Sequence, residues 1–163
     1  MLRLLAVVLL GAVLAGCSTS VVTKQEMPSE IRADVKVAEL KVEVPDHVAG
    51  PADLGARFED AVRKAIAERK REGASEVRLE LTVTRFEVVG QGMRFFIGAF
   101  AGANKMASMV SVVDLKTEST VGKFIVEREA NPGGYGVFYD QAQATIEATA
   151  DGVADGLFGT KPE

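Results

Sequence analysis

One cysteine, Cys17, occurs in the 163 residues, so no disulfide can close within the chain and whatever fold it adopts must be held by packing. The materials for that packing are restricted. There is no tryptophan and aromatic residues make up 6% of the chain, so the core has to be built from Val, Leu, Ile, Ala, Met and Phe. The residues beyond Cys17 suffice for a single domain that buries well over half of its unfolded surface.

Periodicity supplies the elements. Ile31 to Val44 alternates apolar and charged residues, and its phase changes around Ala38-Glu39, which predicts a strand with a bulge. From Asp53 to Glu72, Leu54, Phe58, Ala61, Val62, Ala65 and Ile66 recur at three and four residues and predict a helix with one buried stripe. Its end carries Arg69, Lys70 and Arg71, cations suited to the negative pole of a helix, with Gly73 as a C′ residue. Glu76 to Thr84 is a strand with Val77, Leu79, Leu81 and Val83 on one face, and a second phase slip after Thr84 predicts another bulge.

Met106 to Leu115 is apolar or small on both faces, as an internal strand requires, and Val121 to Glu129 is its hairpin partner. A second helix is expected over Val137 to Phe158, with Phe138, Ala142, Ile146, Thr149, Val153 and Leu157 inward. Ala148, Gly152 and Gly156 beside them permit close approach to a neighbouring element. The order β-α-β-β-β-α predicts an α+β fold, a two-layer α/β sandwich with about four strands in a mixed sheet and two helices on one face. A right-handed crossover makes the first two strands parallel.

The N-terminus carries an address. Arg3 supplies a positive start, Leu4 to Leu14 an apolar run shorter than the roughly 20 residues that span a bilayer, and Leu14-Ala15-Gly16-Cys17 resembles the bacterial lipobox. That resemblance implies cleavage between Gly16 and Cys17, a diacylglycerol on the Cys17 sulfur, and partnership with a lipid bilayer through the acylated residue. Ser18, not Asp, at the next position implies the inner leaflet of the outer membrane, facing the periplasm, with the inner membrane as the alternative. The expected organisation is a signal peptide over 1–16, a lipidated polar tether over 17–30, one α/β domain over 31–159 and a tail over 160–163.

Gly90 to Lys105 is too long and too apolar for a routine hairpin loop. With its flanking strands it resembles a family of uncharacterised bacterial lipoproteins, through Arg94, Gly98, Gly102, Val110, Val112, Val113, Asp114 and Thr117, over roughly Val77 to Val126. Family members commonly have glycine after the Thr, where this chain has Glu118. The simplest expectation is that Phe95, Phe96, Ile97 and Phe100 fold back over the sheet; the alternative is a docking patch. Arg94, Phe95, Phe96, Phe100 and Tyr135, the last within Gly133-Gly134-Tyr135-Gly136, are the candidate contacts to a partner or ligand.

Catalytic constellations are scarce. His47 is the sole histidine, in a loop, with no second His or free Cys for a zinc site or nucleophilic pair. No serine lies in a Gly-x-Ser-x-Gly turn, and Gly90-Gln91-Gly92 lacks the third glycine of a dinucleotide loop. A net charge of −4 argues against a nucleic-acid partner. The expected function is a non-catalytic binding or assembly module of the cell envelope, with an unknown envelope protein as partner and neither cofactor nor metal. A small-ligand carrier or sensor, using the cleft between Gly90–Lys105 and the second helix, is the alternative, and a carboxylate enzyme using Asp114 with Glu80 or Glu127 a third.

Overall fold

Alternation of apolar and charged side chains decides which face of each strand meets the helices. The computed structural model describes residues 18–69, 73–89, 103–130 and 140–160. Five strands form one sheet: β1 (Ser18–Gln25), β2 (Val35–Glu43), β3 (Ser75–Glu87), β4 (Asn104–Asp114) and β5 (Ser119–Ala130), in spatial order β1-β5-β4-β3-β2. Three helices accompany them: α1 (Ser29–Ala33), α2 (Leu54–Glu68) and α3 (Gln141–Phe158). The order is β-α-β-α-β-β-β-α, an α+β fold with a mixed sheet and helices on one face.

β2 and β3 are adjacent and parallel, joined through α2 as the expected crossover, and all other pairings are antiparallel. β4 is the central strand, consistent with its apolar character on both faces. Both expected bulges are present, between Val37 and Glu39 and between Val83 and Arg85. Val77, Leu79, Leu81 and Val83 from β3 pack with Met106, Val110 and Val112 from β4, with Phe58 and Val62 from α2, and with Ile146, Val153 and Leu157 from α3.

The N-terminal segment departs from expectation. Residues 18–25, taken from sequence as part of a polar tether, form an edge strand antiparallel to β5, which raises the strand count to five. Thr19, Val21, Val22 and Thr23 supply the β-branched density that a strand favours. Residues 29–33, expected to be tether and strand start, form one helical turn instead. Pro28 fixes the entry dihedral and its carbonyl accepts from Arg32 N–H at 2.9 Å. Buried Met27 ties this corner to the sheet at Gly122.

Two other local readings change. Gly73 does not adopt a left-handed helix cap; a Cβ there would collide with the backbone of Asp34 and Val35, so the glycine serves close approach. Glu118 takes φ 51 in the β4–β5 turn, the left-handed region that favours the glycine found in the resembling family. Its carboxylate accepts from Arg78 Nη2 at 3.1 Å, and Asp114 Oδ1 accepts from the N–H groups of Lys116 and Thr117 at 2.7 and 2.9 Å.

α3 begins at Gln141; the earlier part of its expected span, with Phe138, lies outside the described residues. Its small residues do what their spacing predicts. A Cβ on Gly152 would sit 2.5 Å from Val126 Cγ1 and 2.7 Å from Thr19 Cγ2, and one on Gly156 would collide with the Phe124 ring. Gly55, in contrast, faces only Val44 Cγ2 at 3.4 Å.

Gly156→Val is expected to destabilise the fold by about 1–3 kcal/mol through overpacking. Gly55→Ala should be neutral or stabilising by up to about 1 kcal/mol through helix propensity. Urea midpoints of the two variants check this contrast.

Candidate functional site

The strand register brings the ends of four strands, β1, β3, β4 and β5, to one end of the sheet. Ser18 opens β1 opposite Glu129, Ala130 closes β5 opposite Asn104, and Lys105 lies opposite both Glu129 and Glu87. Val89 and Ala103, which flank residues 90–102, and Ala130 and Asp140, which flank residues 131–139, lie at this same end.

A buried polar clasp holds their feet together. Asn104 is 2% exposed and Gln141 7%. Asn104 Oδ1 accepts from Val89 N–H at 3.0 Å, and Asn104 Nδ2 donates to Gln141 Oε1 at 2.8 Å. One side chain therefore links the exit of β3, the start of β4 and the first turn of α3. Buried amides are costly unless paired, so this arrangement specifies how the three elements meet. Beside it, Asp140 caps α3 by accepting from Gln143 N–H at 3.0 Å, and Arg57 of α2 donates to Asp140 at 2.9 Å and to Gln143 Oε1 at 3.0 Å. The Gln143 N–H, assisted by the Arg57 guanidinium, holds the Asp140 carboxyl below its ordinary range. Farther along, Arg69 joins α2 to α3 by pairing with Asp155 and the Gly159 carbonyl, which accounts for the first cation of the basic run as a helix-end contact.

The face of the sheet away from the helices is charged at this end, with Arg85, Glu87, Lys105 and Glu129 in pairs and Glu127 beside them. Arg85 bonds Glu87 at 2.9 Å, and Lys105 lies 3.5 Å from Glu129. The hydrogen bonds between Arg85 and Glu87 raise the arginine pKa and lower that of the glutamate. Between them is a hollow of about 140 Å³ lined by Ser20, Arg85, Lys105, Ala107, Glu127 and Glu129. Small-molecule sites usually enclose about 300–1,000 Å³ with mostly apolar walls, unlike this hollow; most of the expected cleft between Gly90–Lys105 and the second helix lies outside the described residues.

At the opposite end, an open depression of about 460 Å³ includes Asp34, Glu76 and Asp114. Each of these carboxylates already has a local partner: Ser75 for Asp34, Lys36 for Glu76 and the turn N–H groups for Asp114. The hydrogen bond from Thr117 N–H, with that of Lys116, holds Asp114 below the usual aspartate range. Glu80 accepts from Arg78 Nε at 2.9 Å, so it is part of a charge ladder. His47 is exposed in the turn after β2. Among the described residues, no group of three or more His, Cys, Asp or Glu is placed to hold a metal ion, and no helix is long and apolar enough to cross a membrane.

The site residues expected from sequence, Gly16, Cys17, Arg94, Phe95, Phe96, Phe100 and Tyr135, all lie outside the described residues, as do Gly98 and Gly102. The structure does place their neighbours: Ser18, Val89, Ala103 and Ala130 belong to the same sheet end. Sequence reasoning missed the Asn104–Gln141 clasp. Its signal was present, since Asn104 shares the inward phase of Met106, Ser108 and Val110 and is polar where an apolar residue would be expected.

The fold has solved counterparts. PelC from Paraburkholderia phytofirmans, crystallised as a dodecamer, aligns with a TM-score of 0.57 at 12% identity, covering 88% of this chain and 100% of that one. A leucine-to-methionine variant of the same dodecamer gives a TM-score of 0.53 at 14% identity, covering 83% and 97%. At such identities the likeness is one of fold. No protein-family model and no curated protein matches the chain, so the lipoprotein-family resemblance rests on the residues of Val77 to Val126 themselves.

Asn104→Leu should cost about 1–3 kcal/mol, the penalty for removing one partner of buried polar groups. Faster hydrogen exchange at the Val89 amide, together with a lower urea midpoint, is the expected readout. A depressed folded-state pKa stabilises the protein above the unfolded value, and that stabilisation is lost as pH falls through the folded value. For Asp140 the loss therefore occurs below its ordinary value of 3.8. Asp140→Asn keeps a capping side chain without the titration, so its melting temperature should drop less than wild type between about pH 5 and about pH 2.5.

Proposed function

We propose that this protein is a lipid-anchored envelope lipoprotein, acylated at Cys17 after removal of residues 1–16, whose domain works as a non-catalytic assembly module by associating with copies of itself. Its place is the periplasmic side of the outer membrane, on the inner leaflet. The lipobox supports the anchor, and Ser18 supports the outer-membrane address. The PelC-like fold, which in PelC forms dodecamers, supports the self-association.

The observation that carries the assembly reading is the open edge of β1. Edge strands expose unpaired backbone groups that template pairing, and proteins blunt them with charges and bulges. The opposite edge, β2, is blunted in this way by Lys36, Glu39, Lys41 and Glu43 and by the irregularity at Ala38. β1 has those devices only at its last residues, Lys24 and the irregularity between Thr23 and Gln25; from Ser18 to Thr23 it carries no charge, and its Val21 and Val22, at 38% and 43% exposure, are the exposed large hydrophobics among the described residues.

Val22→Lys should weaken self-association at least tenfold, equivalent to about 1.4 kcal/mol. Its unfolding midpoint should stay near wild type, as for most surface substitutions. Crosslinking in cells and native mass measurement of the detergent-extracted protein test this. A wild-type chain that is monomeric in both assays, with no envelope partner captured, overturns the assembly role.

A further inference from the structure

The two edges of the sheet are unequal, and that inequality limits how copies of the chain can meet. Joining β1 of one copy to β2 of the next would build a ring or an open fibre, but the charges and the irregularity of β2 blunt that edge. β1 is left to pair with β1.

Resting on the reading of β1 as the self-association edge, we infer that two copies join β1 to β1, antiparallel, about a two-fold axis at Val21 that stands perpendicular to the sheet. The two five-stranded sheets then run on as one. Antiparallel ladders are slightly more stable per residue than parallel ones. A two-fold contact is isologous and closes on itself, so this edge yields a dimer.

The register follows from the faces and the charges of β1. Val21 stands opposite Val126, a core residue, and so points to the helix side; Val22 stands opposite Ile125 and points to the other side. An axis perpendicular to the sheet keeps both helix layers on one side, so each residue has to meet one of like phase. Centring on Val21 sets Val21 against Val21, Ser20 against Val22 and Thr19 against Thr23, all within the uncharged stretch. Lys24 falls at the margin opposite Ser18, which keeps the two lysines at opposite ends of the ladder.

The helix layer supplies a second, independent observation. A Cβ on Gly152 would sit against both Thr19 and Val126, so α3 runs above β1 and β5, beside the open edge. Ala148, one turn earlier on the same side of the helix, is half-buried. The acids of α3 are engaged elsewhere: Glu147 and Asp151 border the groove toward α2, and Asp155 is paired with Arg69. In the two-fold pair the α3 axes stand two strand spacings apart, about 10 Å. That is an ordinary distance for packed helices, and the small residues at 148 and 152 suit it.

The experiment uses the full chain in cells, with the photocrosslinking residue benzoylphenylalanine in place of Val22 or of Lys41. Illumination is expected to give at least tenfold more covalent dimer from position 22 than from position 41, and native mass measurement of the extracted protein should find two copies per particle. Ala148→Glu, which sets like charges together between the two α3 helices, should weaken the dimer at least tenfold, whereas Lys41→Glu on the blunted edge should leave it unchanged. Equal crosslinking from both edges, crosslinked ladders beyond two copies, or a dimer that does not crosslink at position 22 overturns the two-fold pairing and leaves the assembly reading standing. A chain that is monomeric in both measurements overturns self-association, and this pairing with it.

Discussion

The close approach of α3 to the sheet at Gly152 and Gly156 is the contact on which the rest of the architecture depends. Because neither position carries a Cβ, the helix backbone descends onto Val126 and Phe124 of β5 and reaches Thr19 of β1. A single helix thereby packs on β4, β5 and β1 and ties the N-terminal strand to the domain. α2, pinned to α3 by Arg57 and Arg69, covers the β2 side of the same face. Without the glycine stripe the helix would ride higher, and β1 would lose the contact that ties an otherwise peripheral strand to the domain.

Much of this was legible because the relevant signals are local. The alternation over Glu76 to Thr84 and the phase slips near Ala38 and Thr84 mark strands and bulges directly, since burial on one face forces a period of two. The three-and-four spacing of Leu54, Phe58, Ala61, Val62 and Ala65 marks α2 equally well. β1 was not legible, because an edge strand whose residues 19–25 stay exposed needs no alternation; its pairing is supplied by β5. The polar clasp was hidden for a related reason. Asn104 and Gln141 are far apart in sequence, and only their shared burial reveals them as a pair. The candidate contacts read from Gly90 to Lys105 and from Tyr135 lie outside the described residues, whereas the sheet end that roots them lies within.

Electrostatics divides the molecule along the strands. The helix-free face is laced with pairs such as Lys36–Glu76 and the cluster of Arg78 with Glu39, Glu80 and Glu118. Exposed pairs of this kind contribute little to stability, typically about 0–1 kcal/mol each. Their role is better understood as keeping that face soluble while β1 from Ser18 to Thr23 remains uncharged.

The pairing of β1 also sets an order of events during synthesis. Thr19 and Arg128, which meet across β1 and β5, are 109 residues apart in sequence. Contacts that close so long a loop form late, after the entropy of bringing the ends together has been overcome. The residues of the first strand are therefore synthesised before the rest of the domain and are among the last to find their place. In the interval Val21 and Val22 lie on a bare strand, and the nascent chain's vulnerability to aggregation or to proteases is concentrated in that window.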